Sequence, residues 1–95
     1  MKDLTNRVAI VTGSSSGVGA ATARLLAAKG CHVVINYNSN AEGAEQVAED
    51  CEAAGAETLV LQANVAIDEA CVAMAQAANE QWVRVDALVK LAGTT

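Results

Sequence analysis

The sequence predicts a doubly wound α/β fold, with a parallel four-stranded sheet in the order 3-2-1-4. Three observations predict it. Short β-branched apolar runs alternate with longer stretches rich in Ala and Leu. Glycines stand where strands hand over to helices and where helices stop, and no proline interrupts any element. Crossovers of this length force the strands to run parallel, joined by right-handed connections.

Val8 to Val11 (V-A-I-V) is a continuous apolar run, as expected of a strand buried on both faces. Gly17 to Lys29 reads as a helix, closed by Gly30 where a left-handed cap residue belongs. Cys31 to Asn36 (C-H-V-V-I-N) is the second strand. Ala41 to Ala54 is the second helix, with a buried stripe of Ala44, Val47, Ala48, Cys51 and Ala54 and a solvent side carrying Glu42, Glu45, Glu49 and Glu52. Gly55 caps it. Thr58 to Ala63 is the third strand. Ile67 to Trp82 is the third helix, packing through Ile67, Ala70, Met74, Ala78 and Trp82, and Ala87 to Ala92 is the fourth strand.

The 95 residues suffice for one compact domain and are too few for two. A hydrophobic fraction of 53% requires a packed core, and its Ala, Val and Leu side chains suit helices lying close on a sheet. Six basic residues against eleven acidic ones give a net charge of −5, which disfavours nucleic acid and anionic membrane surfaces as partners. No apolar run approaches the roughly 20 residues that span a bilayer. Met1-Lys2-Asp3-Leu4 opens without an apolar segment or cleavage site, so no signal peptide is expected. Cys31, Cys51 and Cys71 lie far apart with a single His32, which signals neither a zinc site nor a disulfide framework. An odd cysteine count with no export signal points to a reducing cytoplasm, each cysteine serving as a small buried apolar residue.

Between the first strand and first helix lies Thr12-Gly13-Ser14-Ser15-Ser16-Gly17-Val18-Gly19. Gly13 suits the turn off the strand, Gly17 bares the backbone to an approaching pyrophosphate, and Gly19 lets helix and strand pack closely. The helix N-terminus then offers N–H groups and a partial positive charge to phosphate. Ser14 to Ser16 add hydroxyl donors. A turn that merely needs glycine would carry similar residues, but here the strand before and the helix after are both in place.

The spacing T-G-x-x-x-G-x-G resembles the short-chain dehydrogenase/reductase family. So do the strand Val33-Val34-Ile35-Asn36-Tyr37 and the segment Asp86-Ala87-Leu88-Val89 before Ala92-Gly93. The likeness covers essentially the whole chain and is strongest to the NADP-dependent group that includes glucose dehydrogenases and 3-oxoacyl-carrier-protein reductases. It implies the first half of a Rossmann fold with a dinucleotide at Thr12, Gly13, Ser15, Ser16, Gly17, Val18 and Gly19. It further implies contacts from Asn36, Tyr37, Asn38 and Ser39 after the second strand, Asn64 and Val65 after the third, and Ala92 and Gly93 after the fourth.

NAD-preferring relatives usually end the second strand on an acid that holds both ribose hydroxyls. Asn36-Tyr37-Asn38-Ser39 has no acid to repel a 2′-phosphate and no Arg to attract one, so NADP is favoured over NAD. An ordinary polar turn would read the same way. Asn64 stands where the family commonly has an Asp against adenine, and it serves equally as a cap for the third helix.

The chain departs from the family at Lys90-Leu91-Ala92-Gly93, where Asn-Asn-Ala-Gly is typical. The family's catalytic Ser, Tyr and Lys lie beyond the fourth strand, and the sole tyrosine, Tyr37, sits by the adenosine end. The chain is therefore expected to bind a nucleotide cofactor without catalysis of its own, with no catalytic residue and no metal. An exposed fourth strand is a bare edge, so a homodimer through that strand and the neighbouring helix is expected, with Trp82, Val83 and Leu91 as apolar surface and Lys90 guarding the edge. Departures cluster after Ala70, as in an engineered half-domain or a drifting remnant. Two alternatives stand beside this reading: a self-assembling unit that binds nothing, and a portion of an active carbonyl or alcohol oxidoreductase.

Overall fold

The computed structural model describes residues 5–64 and 68–90. Seven elements alternate along it: β1 (Val8–Val11), α1 (Gly17–Ala28), β2 (His32–Tyr37), α2 (Ala41–Ala53), β3 (Thr58–Gln62), α3 (Asp68–Trp82) and β4 (Ala87–Val89). All strand pairs are parallel and the order is β3-β2-β1-β4, as the sequence predicts.

Strand alternation divides the core into two layers. Val11, Val33 and Ile35 face α1 and α2, where they meet Ala20, Ala23, Ala27, Ala44, Val47 and Cys51. Val8, Ile10 and Val34 face the other way, against Met74 and Ala78 of α3. Alanines dominate the helix faces, so the helices settle close to the sheet, and burial of apolar area supplies the driving force.

Helix ends follow their capping chemistry. At the end of α1, the Cys31 N–H donates to the Leu26 carbonyl at 3.1 Å and the Gly30 N–H to Ala27 at 3.0 Å. The same pair recurs after α2, from Ala56 to Cys51 at 3.1 Å and from Gly55 to Glu52 at 2.9 Å. Both are Schellman closures. Asn40 caps the start of α2 by accepting the Gly43 N–H at 3.0 Å.

Several boundaries and faces differ from expectation. Lys29 is the cap of α1 rather than its last turn, and Ala54 is exposed, because it lies past the last turn of α2 where the stripe no longer faces the sheet. The second strand runs one residue later, taking in Tyr37 and releasing Cys31. β4 stops at Val89, and Lys90 is exposed. Trp82 does pack along the α3 face as expected, but as surface for a partner it is already occupied: half-buried, its ring stacks on His32 at 5.7 Å and 8°, and its Nε1 donates to Glu57 Oε1 at 2.9 Å. The Glu57 N–H donates to His32 Nδ1 at 3.1 Å, so β2, β3 and α3 are joined at the sheet end opposite the glycine loop. Met1 to Leu4, Val65, Ile67, Leu91, Ala92 and Gly93 lie outside the described residues. No helix among the described residues is long and apolar enough to cross a membrane.

Candidate nucleotide-binding site

The carboxyl ends of parallel strands open toward the loops that follow them, and here they gather three segments: residues 12–19, 37–40 and 63–64. In open α/β sheets ligands bind at such an edge.

The glycine loop is held from beneath. Asn36 is 1% exposed, and its side chain is spent on backbone: Oδ1 accepts the Gly13 N–H at 2.8 Å and Nδ2 donates to the Ala63 carbonyl at 3.2 Å. The Ser14 N–H donates to the Asn36 carbonyl at 2.9 Å, and the Asn36 N–H donates back to Ser14 Oγ at 2.9 Å. Ser14 Oγ itself donates to the Val11 carbonyl at 2.8 Å. Ser14 is thus an internal strut rather than a donor to ligand. Asn36 positions the loop through a buried amide instead of presenting one at the surface.

Thr12 is also buried, with its N–H on the Val89 carbonyl at 3.0 Å and its hydroxyl on the same oxygen at 3.4 Å. It clamps the end of β1 to β4. Ser15 is buried and Ser16 half-buried.

What the loop leaves open is the start of α1. Ser16 is its N-cap in extended geometry and makes no side-chain cap bond, and no acid lies in the first turn. The partial positive charge of the helix end is therefore unneutralised. At Gly17, with φ of +60°, a Cβ would meet nothing within 4 Å. The backbone there is bare and faces open space, as approach by a pyrophosphate requires. Gly19 is constrained for the opposite reason, since a Cβ on it would strike the Gly13 carbonyl group. Val18 projects from the same turn, 72% exposed. The residues present fit a phosphate-bearing group at this helix end.

Beyond β2, Tyr37 is half-buried against the α1–α2 layer, while Asn38 and Ser39 are exposed. Gln62, absent from the residues singled out by sequence, donates from Nε2 to the Asn38 carbonyl at 3.0 Å. Beside Asn64, which is exposed, a groove of about 480 Å³ runs between Leu61–Asn64 and the Ala70, Ala73, Met74 and Ala77 face of α3. Its walls are mostly apolar, which suits a flat aromatic base.

A second feature missed by sequence lies at the opposite end of β1. Asp86 Oδ2 accepts the Val8 N–H at 2.8 Å, and both carboxylate oxygens receive Arg84, at 2.6 and 2.8 Å. The Arg84 guanidinium, reinforced by the Val8 N–H, holds the Asp86 carboxyl below the usual carboxylate range. Among the described residues no group of three or more His, Cys, Asp or Glu is placed to hold a metal ion.

A family model described as short chain dehydrogenase matches residues 7–95. An uncharacterized oxidoreductase of Methylorubrum extorquens is 42% identical over 93 residues, covering 98% of this chain and 38% of its own length. A 3-oxoacyl-[acyl-carrier-protein] reductase of Synechocystis is 41% identical over 95 residues, covering 100% of this chain and 38% of that protein. The crystal structure of a short chain dehydrogenase from Mycobacterium avium superposes with a TM-score of 0.86 at 34% identity, over 97% of this chain and 36% of the other. The chain thus spans 38% of the length of the two relatives matched by sequence.

Proposed function

The chain belongs to the short-chain dehydrogenase family, and we propose that its residues form the adenosine and pyrophosphate end of a nicotinamide dinucleotide site that prefers NADP. The observation that carries this reading is the uncapped, acid-free start of α1 with Gly17 facing open space. In it, the first-turn N–H groups and the Gly17 backbone take the pyrophosphate, Val18 covers it, and Asn38 and Ser39 meet the adenosine ribose. Asn64 and Val65 border the adenine groove, and Ala92 and Gly93 approach the second ribose. Thr12, Gly13, Ser15, Ser16, Asn36 and Tyr37 shape the loops around it. NADP is preferred because no carboxylate stands among residues 37–40.

The nicotinamide ring, when bound, supplies the hydride of the family's oxidoreductase chemistry. The residues of this chain bind and orient. Tyr37, the sole tyrosine, is half-buried at the adenosine end, so it is assigned no part in hydride transfer. Calorimetric titration with NADP, NAD and ATP tests the reading. Saturable binding that Gly17→Val abolishes is expected, and absence of heat with all three ligands overturns it.

A homodimer through β4 is a second reading, favoured by that strand's place at the sheet edge among the described residues and by Leu88, 51% exposed. A groove of about 330 Å³ lined by Leu26, Ala87 and Val89 runs beside it. Unpaired parallel-strand edges are commonly covered by protein. Sedimentation equilibrium decides, since a clean monomer at high concentration discards the dimer. That no disulfide joins Cys31, Cys51 and Cys71 supports a cytoplasmic setting.

A further inference from the structure

The end of β3 holds both loops that border the dinucleotide site. Through the Asn36 amide it is tied to Gly13. Through Gln62 and Ala63 it is tied to the segment after β2: Gln62 Nε2 donates to the Asn38 carbonyl at 3.0 Å, and the Ala63 N–H donates to the Tyr37 carbonyl at 2.9 Å.

Two consecutive carbonyls therefore face β3. Along an extended strand they would point to opposite sides, so the chain turns here, and Asn38 and Ser39 form a bend. In a trans peptide the N–H points opposite to the carbonyl of the same plane. The N–H groups of Asn38 and Ser39 are thus turned away from the Ala63 N–H and the Gln62 amide that hold the two carbonyls. Successive N–H groups aimed one way make an anion-binding concavity. No acid lies between Tyr37 and Ala41 to oppose an anion there.

We propose that Gln62 is a positioning residue that sets selectivity for a phosphate on the 2′ oxygen of the adenosine ribose, acting through the Asn38 carbonyl. The proposal rests on the dinucleotide reading above and goes further by naming what holds its selectivity loop. Backbone donors fixed by Gln62 take the place of the absent Arg. A phosphate gains more from fixed N–H donors than a hydroxyl does, because hydrogen bonds to an ionised acceptor are stronger. Releasing the Asn38 carbonyl therefore weakens a 2′-phosphorylated ligand more than its unphosphorylated counterpart.

The test is calorimetry on the 95-residue chain with 2′,5′-ADP and with 5′-ADP, for the wild type, Gln62→Ala and Gln62→Glu. Gln62→Ala is expected to lower affinity for 2′,5′-ADP about fivefold to tenfold more than affinity for 5′-ADP. Gln62→Glu, which cannot donate and adds a like charge, is expected to lower that preference at least as far. Circular dichroism and the melting temperature confirm that both variants fold. An unchanged preference overturns the proposal, and so does a parallel loss for both ligands, which a merely structural role would give. A wild type that binds neither ligand overturns the dinucleotide reading along with it. Binding of both ligands that ignores Gln62 overturns this proposal alone.

Discussion

Asn36 and Gly13 are joined by a hydrogen bond of 2.8 Å in which a buried side chain at the end of β2 accepts the first N–H of the glycine loop. The other end of the same amide reaches Ala63 after β3. One side chain thus couples three segments that border the site. Asn36→Ala leaves the Gly13 N–H and the Ala63 carbonyl without that partner, at a cost of about 2–4 kcal/mol of stability. Urea denaturation measures it as a lower midpoint with little change in slope, and nucleotide affinity should fall in parallel.

Gly19 and Gly17 should separate folding from binding. Gly19→Ala drives a methyl group into the Gly13 carbonyl and is expected to destabilise the fold by about 1–3 kcal/mol. At Gly17 a Cβ would meet no protein atom within 4 Å, so the cost of Gly17→Val to folding is chiefly the backbone strain of a positive φ, about 1–2 kcal/mol. Its larger effect falls on nucleotide binding. Thermal melts paired with calorimetry on the two variants should therefore rank them in opposite orders.

The legible part of this molecule was the part written locally. Apolar runs, Ala-rich faces and the glycine loop predict the element order and the sheet order, and residues 12–19 fall at the strand ends where they were expected. Contacts between residues far apart in sequence were not legible. Asn36 reads as a surface contact for cofactor, yet it shares a strand face with Val34, and that parity was the available sign that it points inward. Asp86 carries no periodic signal at all, because its partners Val8 and Arg84 define its role only once β1 and β4 are side by side. Trp82 reads both as part of the α3 packing face, where it is found, and as surface for a partner, and the stack on His32 becomes visible only when β2 and α3 meet.

Asp86 should shape the acid limb of stability. Arg84 and the Val8 N–H hold its carboxyl below the ordinary range in the folded chain. Such a group contributes stability above its unfolded pKa and loses it as pH falls through the folded value, so the loss begins below about pH 4. Asp86→Asn keeps an acceptor for Val8 but removes the charge. Acid titration followed by circular dichroism should show a shallower fall for the variant across that window.

The thiols should differ in reactivity. Burial pushes Cys51 up to about 11 and raises Cys31 as well, while Cys71 is only half-buried. At pH 8 a thiolate-specific reagent is expected to label Cys71 first, with Cys31 and Cys51 following only as the chain opens. Peptide mapping after a short labelling pulse checks the order.

Trp82→Ala removes the stack on His32 and the bond to Glu57, and should lower stability by about 1–3 kcal/mol. A lower melting temperature with unchanged nucleotide affinity is the expected pair of results, since these contacts lie at the far end of the strands.

That location gives the chain a built-in optical gauge. Trp82 is its only tryptophan, and its indole is stacked on an imidazole at the end of the sheet away from the glycine loop. Emission from that ring will register when α3 parts from the strands, and will stay quiet while a nucleotide comes and goes. Docking of the helix can therefore be followed by emission, apart from occupancy of the loop, which calorimetry reads.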